Sequence, residues 1–138
     1  MNYYRNPSTG EVFAYENDAE RQQFGAPELV AMTAAEVEAH LNPSPTAEYV
    51  QAMFVAAIQQ RLDAFAQTRG YDGILSACTY ATSSIPRFSV EGQCAVDLRD
   101  LTWEAAYQVL AEVQAGTRAM PASLDDIAAD LPTLEWPA

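Results

Sequence analysis

Few residues in this sequence could carry out chemistry. Its one histidine, His40, stands near the end of a predicted helix, four residues after Glu36, and we interpret the two as a solvent-exposed pair. No nucleophile motif accompanies this histidine, as a Ser-His-Asp or Cys-His site would require. The sequence therefore predicts no catalytic residues and a protein that is not an enzyme.

Metal ligands are equally sparse. Cys78 and Cys94 are far apart and lack Cys-X-X-Cys spacing, so with a single histidine they do not form a zinc site. We predict that both are buried thiols. The acidic pair at residues 125–126 is typical of a helix start, and Asp97 with Asp100 of an exposed helix face. The sequence predicts no metal site and no cofactor.

Aromatic side chains are the residues that could form a binding surface. They occur on both faces of a predicted hairpin, on a helix face and near the C-terminal end. Core packing accounts for any one of them, but together they favour an interface with another chain. The residues predicted to bind a partner are Tyr3, Tyr4, Phe13, Tyr15, Trp103, Tyr107 and Trp136. A second copy of the chain, giving a homo-oligomer, remains an alternative to a different partner.

The charge limits the class of partner. Nineteen acidic residues face seven basic ones, all arginine, and the net charge is −12 over 138 residues. Such a chain repels nucleic acid and anionic membranes, so neither is predicted as a partner. The charge either keeps an apolar protein soluble or steers it towards a basic partner. No apolar run is long enough to span a bilayer, and the polar start is not a secretory signal, so we expect a cytoplasmic protein.

The first part of the chain, residues 1–42, is predicted to be a hairpin followed by a short helix. Residues 2–5 and 11–15 are aromatic and β-branched, and the segment between them has the proline and glycine of a turn. Residues 17–27 are predicted to be irregular. Thr33 and Glu36 have the spacing of a capping box, which predicts a helix running to about Leu41.

The second part, residues 47–138, is predicted to be helical, after a linker at residues 43–46 in which Ser44 caps a helix and Pro45 begins it. That helix is expected to reach about Thr68. Asp72 is expected to cap a short helix over residues 74–81. A long helix is predicted over residues 89–115, with an irregular start at Gly92 and an apolar stripe that we expect to be buried. A short helix from Ser123 and an extended tail are predicted to follow. The stripe comprises Cys94, Leu98, Leu101, Ala105, Val109 and Val113. The fold class predicted is α+β, an N-terminal hairpin followed by a helical bundle.

Several stretches resemble known phage proteins. Residues 3–15, YYRNPSTGEVFAY, are similar to the start of phage tail fibre assembly proteins, and residues 29–37 and 41–43 fit the same pattern. Residues 69–81, RGYDGILSACTYA, and residues 131–137 are similar to a helical module found in phage tail proteins. The C-terminal module also occurs in phage proteins of unclear role, so it does not by itself imply a chaperone, and both parts in this order carry the resemblance.

The resemblance implies a chaperone that helps a trimeric receptor-binding fibre to fold, bound near the distal C-terminal tip of the fibre. It implies action in the cytoplasm of the host bacterium, and some members stay on the virion tail fibre. One alternative is a structural tail component that remains at the fibre tip. Another is an acidic anti-host regulatory protein, which is less favoured because the acidic residues are spread from Glu11 to Glu135.

Overall fold

The computed structural model describes residues 1–138 and has an α+β fold. The chain divides into two compact units, residues 1–46, called unit 1, and residues 47–138, called unit 2. Unit 1 contains a small antiparallel sheet with two short helices, and unit 2 contains the long helices. The predicted fold class is confirmed. None of the helices combines the length and apolarity that crossing a membrane requires.

The predicted hairpin is present in unit 1. Strand β1 (Asn2–Arg5) pairs antiparallel with β2 (Val12–Tyr15), and this register sets Tyr4 opposite Phe13. The turn is stabilised by the Asn6 side chain, which accepts a hydrogen bond from the Ser8 backbone amide at 2.9 Å. Gly10 closes it with a φ of 77°, a left-handed conformation that glycine adopts without steric cost.

A third strand, β3 (Val30–Ala31), was not predicted. It pairs with the other edge of β1, giving the order β2-β1-β3. The Met32 amide extends the pairing by donating to the Tyr3 carbonyl at 2.9 Å. A strand of two residues has no alternating pattern that sequence can reveal, because it depends on a neighbour far along the chain.

Residues 17–27 are not irregular as predicted, since α1 spans Asp18–Phe24. Asn17 caps it by accepting from the Glu20 amide at 2.9 Å, and the Glu20 carboxylate accepts from the Glu16 amide. This reciprocal pattern stabilises a short helix despite its polar composition. Helix α2 (Ala34–Leu41) begins with the predicted capping box of Thr33 and Glu36, which is confirmed.

The two helices of unit 1 pack on opposite faces of the sheet. On one face, the Tyr4 hydroxyl donates to Asp18 of α1 at 2.8 Å. On the other face, Arg5 lies 3.8 Å from Glu36 of α2, and Tyr3 lies against His40 with ring centroids 6.4 Å apart. Glu36 therefore contacts Thr33 and Arg5, not His40 as predicted. The alternation of side chains along β1 explains why neighbouring residues reach different helices.

Unit 2 begins with α3 (Ala47–Gln67), two residues later than the predicted start at Pro45. The end of this helix is as predicted. Gly70 has a φ of 83°, and the Tyr71 amide donates to the Ala66 carbonyl at 3.3 Å, which turns the chain back towards the helix.

Helix α4 (Ile74–Cys78) continues into a 3₁₀ segment, Thr79–Thr82. Its cap is Asp63 of α3, whose carboxylate accepts from the Ile74 amide at 2.9 Å, so the prediction that Asp72 caps this helix is wrong. A side chain at Gly73 would lie 2.7 Å from the same carboxylate, so glycine is required for this approach. A cap supplied by another helix has no local sequence signal.

Helix α5 (Pro86–Gln114) starts earlier than predicted and is regular through Gly92. Gly92 is buried where α5 meets the 3₁₀ segment, and a Cβ there would lie 2.2 Å from the Ala81 amide nitrogen. Glycine therefore permits close packing of the two elements, and the predicted irregular start is wrong. Proline at the first position of α5 favours this start, because its missing amide would have no partner there.

The core of unit 2 is formed by side chains from α3, α4, α5 and the C-terminal segment. Leu101 was predicted to be buried in the stripe of α5 but is 51% exposed, whereas its neighbour Thr102 is fully buried and donates to the Leu98 carbonyl at 2.7 Å. The final helix is a 3₁₀ turn, Leu124–Ile127. The buried core residues are Ile58, Leu62, Phe65, Ala66, Ile74, Ala77, Ala95, Val109, Ile127 and Leu131.

Candidate partner-binding groove

An open groove, here called the apolar groove, runs between α3 and α5 in unit 2 and has a volume of about 190 Å³. The segment after α5 closes one end of it. Its lining is almost entirely apolar or aromatic. The residues that line it are Ala47, Val50, Gln51, Phe54, Val55, Ile58, Trp103, Ala106, Tyr107, Val109, Leu110, Val113, Gln114, Met120, Pro121 and Ile127.

The groove lies between the parts of α3 and α5 that have no contact with α4 along its lining. Helix α4 packs against both of them, and the 3₁₀ segment packs against α5. The Arg69–Glu91 contact joins the end of α3 to the early part of α5, whereas the groove lies between the first half of α3 and the last half of α5. The two helices therefore run in opposite directions, and the halves that α4 does not separate form the groove walls.

Trp103 and Tyr107, both predicted to bind a partner, lie in this groove. They are four residues apart on α5 and so share one helix face, with ring centroids 6.5 Å apart. Tyr107 is 66% exposed, and Val55 and Met120 on the other walls are about half exposed. Contiguous apolar surface of this kind marks an interaction site more often than isolated exposed residues do.

The chemistry available in the groove is apolar contact. No acidic, basic or thiol side chain lines it, and its main polar groups are the amides of Gln51 and Gln114. No group of three or more potential metal ligands is found in the chain. Such a surface can bind by shape and by removing apolar area from water, and two amides can orient what binds.

Trp136, a third predicted partner-binding residue, is engaged within unit 2. Its indole stacks on Phe65 with centroids 4.3 Å apart, and its Nε1 donates to the Thr68 hydroxyl at 2.9 Å. The Arg69 guanidinium lies 5.6 Å from the indole centroid. The C-terminal tail is thus anchored on the end of α3, and the structure does not bring Trp136 to the groove.

Two further contacts hold the tail. Arg61 donates to the Pro132 carbonyl at 2.8 Å, and the Cys94 thiol donates to the Glu135 carbonyl at 3.4 Å. Burial raises the pKa of the Cys94 thiol, and burial likewise raises that of Cys78. Both cysteines are half-buried thiols. Their pKa shifts disfavour the reactive thiolate form.

A polar cluster around Glu91 was not predicted. Glu91 is 5% exposed and accepts hydrogen bonds from Arg69 at 2.7 Å and from the Tyr71 hydroxyl at 2.6 Å. Burial, together with the hydrogen bond to Glu91, raises the pKa of Tyr71 to about 12. The cluster joins the loop after α3 to α5, which gives it a structural role. The only sequence feature that pointed to this cluster was Glu91 itself, one residue before Gly92.

The hairpin aromatics of unit 1 differ in their accessibility. Tyr4 is buried, with the Arg21 guanidinium 5.0 Å above its ring and Tyr15 packed edge-on at 5.8 Å. The hydrogen bond to Asp18 is the main cause of the raised pKa of Tyr4. Tyr3 is half-buried against α2, and Phe13 is 38% exposed. Phe13 is therefore the most exposed aromatic side chain of the hairpin.

The structure thus brings two of the seven predicted binding residues, Trp103 and Tyr107, together in one groove. The other walls, including Val55 and Met120, were not predicted. Their exposure depends on the separation of α3 and α5, which no local pattern encodes. Comparison of the chain with protein-family models, with curated proteins and with solved structures finds no match.

Proposed function

We propose that this chain is a non-enzymatic assembly chaperone that binds the distal, C-terminal part of a trimeric tail fibre of a phage or phage-tail-like bacteriocin. The observation that carries the proposal is the apolar groove, an exposed surface lined by Trp103, Tyr107 and aliphatic residues of α3. The resemblance of residues 3–15 and 69–81 to phage tail proteins supplies the identity of the partner. The groove supplies a means of contact.

The work of such a chaperone comes from binding energy alone. Trimeric fibres are rich in β-structure with non-local pairing, so their chains expose apolar surface and strand edges before the trimer closes. A protein that binds a folding-competent state of the fibre stabilises that state by mass action. The net charge of −12 keeps complexes of this apolar protein apart from one another.

The place of action we propose is the cytoplasm of the host bacterium during particle assembly. Release from the finished fibre distinguishes a chaperone from a structural tail component. Purified particles that contain the chain in a fixed ratio to the fibre would identify it as a structural component at the tip.

Co-expression with the fibre protein encoded beside it tests the proposal. We expect soluble fibre trimer when the wild-type chain is present and aggregated fibre when it is absent. The groove is tested by Val55→Glu, which puts a charge on a wall residue that is 47% exposed. Its matched control is Val90→Glu, which alters a valine that is 53% exposed and outside the groove.

We expect Val90→Glu to support trimer formation and Val55→Glu to lose most of it. Both sites are exposed and helical, so we expect both variants to fold. Circular dichroism of the two variants checks this. Fibre that trimerises equally well without the chain would remove the chaperone function. If both variants lose activity, the loss is not specific to the groove, and the proposed contact surface would be wrong.

A further inference from the structure

The shape and surroundings of the apolar groove define what it can take. We infer that its ligand is one short amphipathic helix with lysine or arginine on its flanks, contributed by a different protein. The inference rests on the proposed function only for the identity of that protein, because the ligand chemistry follows from the groove itself. Length, volume, hydrogen bonding and charge each restrict the choice.

The length of the groove fits about three helical turns. Its walls are formed by residues 47–58 of α3 and 103–114 of α5. At a rise of about 1.5 Å per residue, each wall is roughly 16 Å long. A third helix of about twelve residues laid between two antiparallel helices would present apolar side chains along the whole groove, at positions i, i+3, i+4 and i+7.

The volume of the groove argues against a small-molecule ligand. Sites for drug-sized ligands and cofactors typically enclose roughly 300–1,000 Å³, whereas this groove has about 190 Å³. Since a water molecule occupies about 30 Å³ in the liquid, the space holds a few side chains from a ligand whose bulk stays outside.

Hydrogen bonding argues against an extended strand as the ligand. The two long walls are helices whose backbone groups are already paired, and the main side-chain polar groups of these walls are the amides of Gln51 and Gln114. A strand buried here would leave backbone N–H and C=O groups without partners, at about 1–3 kcal/mol each. A helix pairs its own backbone groups and loses little by entering an apolar groove.

Charge selects the flanks of the ligand. Glu48 follows the lining residue Ala47 in the chain, Asp125 lies two residues before the lining residue Ile127, and neither forms an ion pair. Arg118, which lies between Gln114 and Met120 in the chain, is held by Glu112 at 3.4 Å and Asp130 at 2.8 Å. The two unpaired carboxylates and the net charge of the chain favour a basic ligand. A second copy, with a net charge of −12 and no lysine, is disfavoured.

A peptide titration of the full-length chain tests the inference. The probe is a twelve-residue helical peptide with leucine at positions i, i+3, i+4 and i+7 and lysine elsewhere. Trp103 reports binding by fluorescence, because it lines the groove, whereas Trp136 is stacked on Phe65 and gives a constant background. We expect saturable binding with a blue shift, and weaker binding as salt is raised. A scrambled peptide of the same composition, in which the leucines are spread over all faces of the helix, should bind more weakly by about tenfold or more.

Variants locate the bound peptide. Val55→Glu and Tyr107→Ala should each weaken binding by about tenfold or more, and Val90→Glu should change it less than about twofold. Equal binding by the scrambled peptide, or equal effects of Val55→Glu and Val90→Glu, would overturn the inference. Equal binding of a leucine-glutamate peptide would overturn its charge requirement. If the peptide fails to bind while co-expression still yields fibre trimer, the inference fails and the proposed function stands.

Discussion

Unit 1 and unit 2 are stabilised in different ways. Unit 2 buries ten apolar side chains from three helices and its C-terminal segment, whereas unit 1 buries only Tyr4 and Leu29. Unit 1 depends instead on pairwise contacts, such as the Tyr4–Asp18 hydrogen bond, the Arg21–Tyr4 contact and two helix caps. Each of these contributes about 1 kcal/mol, against several for a buried leucine.

The difference bears on the exposed apolar surface of unit 2. Leaving Tyr107, Val55 and Met120 in contact with water forgoes burial energy, and the large core of unit 2 offsets this loss. In unit 2 the groove lies beside that core. Unit 1 also leaves aromatic side chains exposed, Phe13 at 38% and Phe24 at 70%, but it has no core of that size beside them.

The largest effect is expected at Leu62, which is fully buried in the core of unit 2. Leu62→Ala should lower the free energy of unfolding of unit 2 by about 3–4 kcal/mol, because it leaves a cavity between helices. Urea denaturation followed by helical circular dichroism measures this. Leu101→Ala, at a leucine that is 51% exposed, is the control and should change the free energy by less than about 0.5 kcal/mol. Similar losses in both variants would contradict the core described above.

A smaller effect is expected at the tail anchor. Trp136→Ala removes the stack on Phe65 and the hydrogen bond to Thr68, and it should cost unit 2 about 2–3 kcal/mol. The released tail should also exchange its amide hydrogens faster. An unchanged urea midpoint would show that the tail adds nothing to the unit, which would make the core smaller than the structure indicates.

The Glu91 cluster predicts an alkaline loss of stability. The pKa of Tyr71 is about 12 in the folded chain and about 10 when unfolded. The unfolded state therefore ionises first as the pH rises, so the stabilisation is complete below pH 10 and is lost between pH 10 and pH 12. Tyr71→Phe should cost about 1–2 kcal/mol at pH 7 and make the alkaline decline shallower. A decline of the same steepness in wild type and variant would assign it to another group.

The smallest effect is expected in unit 1. Thr33→Ala removes the side-chain half of the capping box of α2, leaves the backbone hydrogen bond from residue 33 to Glu36, and should destabilise unit 1 by about 1 kcal/mol. The hydrogen bonds from Thr33 lower the pKa of Glu36 below its ordinary 4.5, so their stabilisation is present above that pH and lost on acidification. NMR titration should show a higher pKa of Glu36 in the variant. If the same variant also loses helical signal from unit 2, the core of unit 2 would not fold without the contribution of unit 1, contrary to our expectation.

The elements that the sequence predicted correctly have local signals. The hairpin turn at residues 6–10, the capping box of Thr33 and the chain reversal at Gly70 each depend on residues close in the chain. Apart from α1, whose cap at Asn17 and Glu20 is local, the errors arose where a distant residue decides the outcome. Asp63 caps α4, Gly92 permits close packing on the 3₁₀ segment, and β3 pairs with a strand far away in the chain.

The candidate site was predictable only in part, for the same reason. Trp103 and Tyr107 could be identified because aromatic residues four apart share a helix face. Val55 and Met120 could not, since they become groove walls only through the way in which α3, α5 and the segment after α5 pack together. Trp136 had an equally plausible signal as a binding residue, but its stack on Phe65 depends on how the tail folds back.

The most direct test is the affinity of the purified chain for the C-terminal part of the proposed fibre partner, measured by calorimetry with wild type, Val55→Glu and Val90→Glu. We predict that Val55→Glu binds at least about tenfold more weakly than wild type, equivalent to about 1.4 kcal/mol, and that Val90→Glu binds within about twofold. Wild-type affinity in the Val55→Glu variant would show that the exposed apolar surface of unit 2 is not where this protein meets its partner.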